Sequence, residues 1–503
     1  MSSGVADVLL GQSYFLRFDP KLWAAMQPYP PLGTLYAASY LRGRGHSVGL
    51  FDAMLAESEV EWDQALAQTH PKIAVLYEDN FNYLSKMCLL RMREAAFAMA
   101  RMARQRGCTV VIAGSDATDH AQAYMDAGAD YVLIGEGEET LGELLDVLLD
   151  RSDAEQGDIL GLAYSRDGQL LINDRRPDLK DLDALPFPAW DLVDIDRYRT
   201  IWQTHHGYYS MNVATSRGCP YHCNWCAKPI WGQRYHVRSA ANVADEIAWL
   251  KRTFQPDHIW FVDDIFGLIP GWVEQFADLV EQKDARLPFK SLQRADLILK
   301  GDTIDALRRA GAQRVWVGAE SGSQKILDAM EKGTHVEDIY ATAHRLHAAG
   351  IQVGFFLQFG YPGETREDIE RTLQMVRDCH PDDIGMSVSY PLPGTRFFAA
   401  VQHELGSKQN WQDSEDLAML YNGPFSTAFY RWLHRVLHRE FRAQRARDEL
   451  RTGHPSLRRR LRLYAAILRS KVSLPVMRLE LERRARAPHK GLVNLIPVEA
   501  ATE

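Results

Sequence analysis

The stretch Ser216-Arg217-Gly218-Cys219-Pro220-Tyr221-His222-Cys223-Asn224-Trp225-Cys226 puts three of the chain's six cysteines within eight residues. It follows an apolar run, 210–215, that reads as a strand, so the cysteines fall on the loop leaving that strand. Thiolates so close together can share one metal centre, and soft thiolates favour zinc, copper(I) or iron–sulfur clusters. Three cysteines fill three corners of a four-iron cluster and leave the fourth iron open to a ligand from outside the protein. The competing reading is structural zinc, with His222 or His236 as fourth ligand. Such sites usually combine two paired knuckles from separate segments, and no second C-x-x-C is present. Cys88, Cys108 and Cys379 stand alone; Cys88 and Cys108 fall where a helix or strand edge would bury them as small apolar side chains.

Working outward, six strand-like runs end in polar or glycine-rich residues: 210–215, 258–263, 289–293, 314–319, 353–359 and 383–390. With helical patterns between them, these six β/α units predict a partial parallel barrel over 206–400. In such barrels the chemistry sits at the carboxyl ends of the strands. Upstream, over 1–150, strand-like runs at Ala6–Leu10, Val48–Asp52, Ile73–Tyr77, Thr109–Ala113 and Tyr131–Ile134 alternate with helical patterns near 32–43, 84–106, 119–127 and 138–150. That alternation predicts an α/β domain with a doubly wound parallel sheet. Such sheets bind ligands outside the carboxyl ends of their strands, where Gly114-Ser115-Asp116 and Gly135-Glu136-Gly137-Glu138 supply turns. Residues 151–205 read as a linker whose Pro186 and Pro188 stiffen an extended crossing. Residues 401–503 read as a helical, basic region.

The composition of the 503-residue chain, 46% apolar and 25% charged, is that of a globular protein and excludes disordered or fibrous classes. No apolar run reaches the ~20 residues of a membrane span. The amino-terminal segment lacks the basic start and cleavage site of a signal peptide, so a cytoplasmic location is expected. Six cysteines are too few for a disulfide scaffold. The net charge is −8, yet residues 431–490 hold 16 Arg and 2 Lys against 5 acids. An acidic body with a basic end argues against a general nucleic-acid binder.

C-x-x-x-C-x-x-C with an aromatic residue, Trp225, before the last cysteine resembles the signature of radical S-adenosylmethionine (SAM) enzymes. The resemblance implies a partial β/α barrel and a [4Fe–4S] cluster on Cys219, Cys223 and Cys226. It further implies that the amino and carboxylate groups of SAM chelate the open iron, and that reductive cleavage gives a 5′-deoxyadenosyl radical that takes hydrogen from the substrate. An electron donor such as flavodoxin or ferredoxin is implied as a partner. Later strand ends support the resemblance. Asp263 and Asp264 stand where the family holds the methionine ammonium. Glu320 and Ser321 stand where it places polar groups near the ribose or carboxylate. Gly360 and Pro362 lie in a turn like the one on the adenine side. Trp225 belongs to the same implied SAM site. Gln293 and Gln358, at strand ends, could orient substrate or satisfy backbone groups.

Residues 28–42, with Gly45-His46-Ser47-Val48 and Phe51-Asp52, resemble the start of the cobalamin-binding domain fused to a large branch of these enzymes. The Gly135–Glu138 turn and the Asp183–Trp190 segment match that branch too, so the resemblance covers residues 5 to about 400. It implies Pro31, Gly33, Gly114, Ser115, Gly135, Glu136 and Gly137 as cobalamin contacts. The D-x-H-x-x-G motif, whose histidine ligates cobalt from below, is absent; Asp119-His120-Ala121 has the wrong spacing and His46 lies in a turn. The implied reaction is methylation of an unactivated carbon. The alternative is radical cyclisation, oxidation or rearrangement of a hydrophobic substrate, as in the oxygen-independent chlorophyll-ring cyclase of the branch. A cobalamin-sensing regulator would need an output module, and an electron carrier would use four cysteines per cluster. At the carboxyl end, 457–469 mixes a basic and an apolar face. Such a helix can lie peripherally on the inner face of an anionic membrane, next to a lipid-like substrate, or simply cover the barrel.

Overall fold

The computed structural model describes residues 7–82, 89–405, 417–453 and 455–487; Cys88 and the start of the helix expected at 84–106 lie outside them. The chain divides into two compact units, 1–220 with 228–289 and 410–416, and 221–227 with 290–409 and 417–503.

The first unit opens with five strands: β1 (Val8–Gly11), β2 (Val48–Leu50), β3 (Ile73–Tyr77), β4 (Thr109–Ala113) and β5 (Tyr131–Leu133). They pair in parallel in the order β2-β1-β3-β4-β5. Successive strand residues face opposite sides. Val8, Leu10, Ile73, Val75, Val111 and Ala113 pack under the helices Leu32–Gly43 and Glu138–Leu148. Leu9, Ala74, Leu76, Val110 and Ile112 pack with Trp62, Ala96, Met99 and Tyr124 of the helices on the other face. Burial on both faces explains why the strands read as unbroken apolar runs. The helix expected at 119–127 is two short ones, Ser115–Asp119 and Ala121–Asp126.

The stretch 151–205, read from sequence as a linker, carries structure. β6 (Leu162–Arg166) and β7 (Gln169–Ile172) form a hairpin that extends the sheet antiparallel to β5. Its two-residue turn is Asp167-Gly168, both at positive φ, the pairing that matches strand twist in tight hairpins. The helix Ile195–His206 follows, anchored by Trp202 Nε1 donating to the Pro28 carbonyl at 2.7 Å and Tyr198 donating to Asp52 at 2.7 Å. β8 (Ser210–Val213), the short pair β9 (Ser216–Arg217) and β10 (His236–Val237), and β11 (His258–Phe261) complete this unit.

β12 (Phe289–Gln293) leads to β13 (Ala312–Glu320), β14 (Gln352–Phe359) and β15 (Asp383–Val388). Six strands share one sheet in the order β15-β14-β13-β12-β11-β8. The β8/β11, β13/β14 and β14/β15 pairs are parallel, as six β/α units require. Within the second unit, helices Thr303–Ala310, Val336–Ala348 and Arg366–Cys379 alternate with these strands. Two long helices, Thr427–Thr452 and Leu457–Ala485, end the described chain. Part of their charge pairs inside the unit: Arg445 with Asp382, Arg478 with Glu440, and Glu440 also with Arg377 of the helix Arg366–Cys379.

Candidate active site

In the first unit, the strand order reverses direction between β1 and β3. This switch point is where open α/β sheets leave a crevice at the strand ends. Buried polar residues collect there: Gln12 and Ser13 after β1, and Glu78, Asp79 and Asn80 after β3. Glu78 accepts from the Ser13 N–H, and burial pushes its carboxyl up to about 7. Asp79 accepts from the Gly33 N–H at 2.9 Å and, also by burial, is pushed up to about 6. A Cβ on Gly114 would press on Glu78 at 2.9 Å, so Gly33 and Gly114 both abut this acidic pair. Pro31 precedes the first turn of the helix carrying Gly33, and Ser115 is buried beside Gly114. Sequence reasoning picked the glycines and missed the Glu78-Asp79-Asn80 run after the third strand, although three polar residues directly behind Ile73–Tyr77 were the available signal. A cavity of about 130 Å³ lies at this edge, lined among others by Tyr14, Asp79, Phe81 and Asn212. His46 precedes β2 and so lies at the opposite, amino-terminal edge, buried beside Asp146 at 3.1 Å.

The Gly135–Glu138 turn does something else. Arg217, buried just before the cysteines, ion-pairs with Glu136 and with Glu138, the latter at 2.8 Å. Glu136 also accepts from Trp231 Nε1 at 3.0 Å and from the Leu179 N–H at 2.6 Å. Tyr36, Phe81 and Trp231 surround the guanidinium with ring faces. Glu136 is thus engaged in protein contacts, and Gly137 packs against Tyr77. Gly135 sits beside the Arg175 side chain.

Gly218 follows Arg217 at φ +79°, and a Cβ there would fall 2.2 Å from the Arg234 carbonyl oxygen, so only glycine fits. The turn delivers Cys219, which is buried. Asp263, at the end of β11, braces the same segment. Its Oδ1 accepts from the Thr215 N–H at 2.8 Å, the Ser216 N–H at 2.5 Å and the Ser216 hydroxyl at 2.7 Å. Burial pushes its carboxyl up to about 6. Asp264 is exposed. Of the two carboxylates read as ammonium partners, Asp263 is occupied in holding the loop and Asp264 is the accessible one.

Cys223 and Cys226 belong to the second unit. Cys223 is buried and Cys226 half-buried. Asn224 pins this half of the loop. Its N–H donates to the Met330 carbonyl at 3.1 Å, its Nδ2 to the Ala329 carbonyl at 2.8 Å, and its Oδ1 accepts from Tyr361 at 2.9 Å. Trp225 packs on a cluster of Ile326, Met330, Tyr361 and Phe397. Arg294 lies 3.6 Å over the Tyr221 ring. Lys332, which sequence reasoning missed, is buried and donates to Glu320 at 2.9 Å. Burial alone would lower its pKa, but Glu320 and the nearby Cys223 thiol hold it above its usual value.

Glu320 itself lies at φ +55°, at a register shift in β13. Non-glycine residues adopt that region rarely and at a cost, often at functional sites. Ser321 meets Thr372 at 3.2 Å. Gly360 donates its N–H to Glu364 at 2.7 Å and its carbonyl accepts from the Tyr421 hydroxyl. Pro362 lies in the same turn. Gln293 and Gln358 are buried; Gln293 Nε2 and Gln358 Oε1 have no hydrogen-bond partner, while Gln358 Nε2 reaches Ser389 at 3.1 Å.

Among the described residues, no three His, Cys, Asp or Glu side chains converge tightly enough to hold a single metal ion. A multi-iron cluster takes each thiolate on a different iron, so its ligands need not meet at one point.

Comparison with known proteins agrees with this geometry. Residues 213–376 match the model of the Radical SAM superfamily. That segment, about a third of the chain, is similar to the radical SAM domain. An uncharacterized methyltransferase of Pyrococcus horikoshii is 27% identical over 402 residues, 76% of this chain and 81% of the relative. The anaerobic magnesium-protoporphyrin IX monomethyl ester cyclase of a Synechocystis strain is 27% identical over 311 residues, 61% of this chain and 59% of the relative. The solved structure of the cobalamin-dependent SAM radical enzyme OxsB, with aqua-cobalamin and SAM bound, superposes with a TM-score of 0.69 at 16% identity. It covers 95% of this chain and 72% of that one. The α/β fold with its two parallel sheets is the one this neighbour shares.

Two variants probe the supports. Replacing Arg217 by Leu strands two buried carboxylates, and loss of one partner from a buried pair costs about 3–5 kcal/mol. Arg217→Leu should sharply lower the midpoint of a fluorescence-monitored thermal melt; a shift under about 1 °C would mean the ion pairs are dispensable. Burial pushes Glu364 up from 4.5 to about 8. The folded protein keeps that proton where the unfolded chain has lost it, so stability falls as pH rises through this window. Glu364→Gln should flatten the decline between pH 5.5 and 8.5, and parallel curves for the two proteins would refute the assignment.

Proposed function

We propose that this chain is a cobalamin-dependent radical SAM enzyme that methylates an unactivated carbon of a small organic or lipid-like substrate. The observation that carries the reading is the loop 219–226, three closely spaced cysteines on a backbone held by Asp263, Gly218 and Asn224. Cys219, Cys223 and Cys226 are assigned as ligands of a [4Fe–4S] cluster. Trp225, Asp264, Glu320, Ser321, Gly360 and Pro362 are assigned to SAM, with Asp263 moved to a positioning role. When bound, the cluster and SAM supply a carbon-centred radical and cobalamin a transferable methyl group; the protein binds, orients and shields.

For cobalamin, the supporting features are the switch-point crevice and the unpartnered buried Asn80 Oδ1 there. The cavity of about 130 Å³ is far too small for a corrin, so the ligand would lie outside the strand ends, over Pro31, Gly33, Gly114 and Ser115. Glu136 and Gly137 would contribute by shaping the turn. His46 stands at the wrong edge of the sheet to serve as a lower ligand. Gln293 and Gln358 would orient substrate through their unpartnered amide atoms. The similarity to the cyclase of Synechocystis keeps radical cyclisation as the second reading. A flavodoxin or ferredoxin is proposed as electron donor, and a cytoplasmic location with peripheral membrane contact as the setting.

The test is anaerobic. Protein from cobalamin-supplemented cells, reconstituted with iron and sulfide, should carry about four irons and one corrinoid per chain. Cys219→Ala, Cys223→Ala and Cys226→Ala should each lose most of the iron while keeping the corrinoid. Four irons without corrinoid would overturn the cobalamin assignment and favour cyclisation; no iron after reconstitution would overturn the whole reading.

A further inference from the structure

The helix Leu457–Ala485 has two apolar seams. Leu463, Ile467, Ser470, Leu474, Met477 and Leu481 recur every three or four residues and turn inward. This seam packs on the helix Thr427–Thr452: Trp432 Nε1 donates to the Met477 carbonyl at 2.8 Å and Arg478 pairs with Glu440. The second seam is Leu457, Leu461, Tyr464, Leu468, Val472, Val476 and Leu479, with the same spacing. All seven are exposed; Leu457, Val472 and Leu479 keep 73%, 70% and 72% of their surface. At 1.5 Å per residue the seam runs about 33 Å. An apolar stripe of this length on a protein surface marks an interaction site.

The flanks say what it meets. Between Leu457 and Arg486 there are ten basic residues and two acids, Glu480 and Glu482. On a helical wheel Arg460 and Lys471 border the outer seam on one side, and Arg458, Arg462 and Arg469 on the other. Arg458, Arg460, Arg462 and Lys471 are exposed, and no ion pair occupies them among the described residues. Two copies of this helix meeting seam to seam would bring these cationic borders together. An anionic bilayer would take the apolar seam between its headgroups and pair phosphates with both borders. No helix of the described residues is long and apolar enough to cross a membrane. We propose that the outer face of Leu457–Ala485 lies in the headgroup layer of an anionic phospholipid membrane. Tyr464 would stand at the level where amphipathic rings settle. The inference is independent of which reaction the enzyme performs.

The experiment sediments the full-length chain with vesicles. Bilayers of phosphatidylglycerol and phosphatidylcholine should pull it down at 0.15 M salt, as ~0.15 M is the physiological range; pure phosphatidylcholine should bind at least tenfold more weakly. Leu461→Glu with Leu468→Glu, at exposed positions, should cut binding at least tenfold without changing the circular dichroism spectrum. Arg460→Glu with Lys471→Glu should lower binding and flatten its salt dependence. No sedimentation with anionic vesicles, or binding indifferent to both double variants, would overturn the proposal. So would a concentration-dependent dimer that Leu461→Glu with Leu468→Glu abolishes, which would make a second copy the occupant.

Discussion

A single buried cation, Arg217, holds the loop from which everything else follows. It stands between Glu136 and Glu138, walled by Tyr36, Phe81 and Trp231, two residues before the first cysteine. Charges removed from water in this way are tolerated only with close partners and further hydrogen bonds, and Glu136 has both. The turn after β5 is thereby committed to the β9 segment. Where Cys219 lies is fixed by the amino-terminal sheet as much as by its own strand.

The second support is the carboxylate of Asp263. Three donors from Thr215 and Ser216 converge on one of its oxygens. Together with the left-handed Gly218, it turns the chain sharply after β8 and sends the cysteines onward. The other half of the loop is held independently by Asn224, Tyr361 and the Met330 and Ala329 carbonyls. A loop built on fixed side chains is preorganised, which is what the proposed cluster would require.

Much of this was legible in the sequence because burial writes itself in apolar runs. The parallel strands of both sheets fall within a few residues of the expected places, and in the first sheet burial on both faces leaves almost no polar residue to blur their limits. The cysteine spacing is local and needs no fold to be read. What stayed hidden was pairing between distant residues. Nothing in Gly135-Glu136-Gly137-Glu138 announces that its carboxylates close on Arg217, 79 to 81 residues later, so the turn read as a ligand contact. Asp263 and Asp264 look alike until one is buried and the other exposed. Lys332 reads as one more surface lysine. The hairpin at 162–172 was readable, because Asp167-Gly168 between two alternating runs is a strong turn signal; the prolines further along drew the reading towards a linker instead.

In the proposed enzyme the cysteine loop carries a cluster with one iron open to SAM. Electron paramagnetic resonance of the reconstituted, dithionite-reduced protein, recorded with and without SAM, tests it most directly. The expected result is a reduced [4Fe–4S] signal whose g values move when SAM is added, and whose movement is lost in Cys223→Ala. A cluster signal that SAM leaves unchanged, or a protein that takes up zinc and forms no cluster, would contradict it.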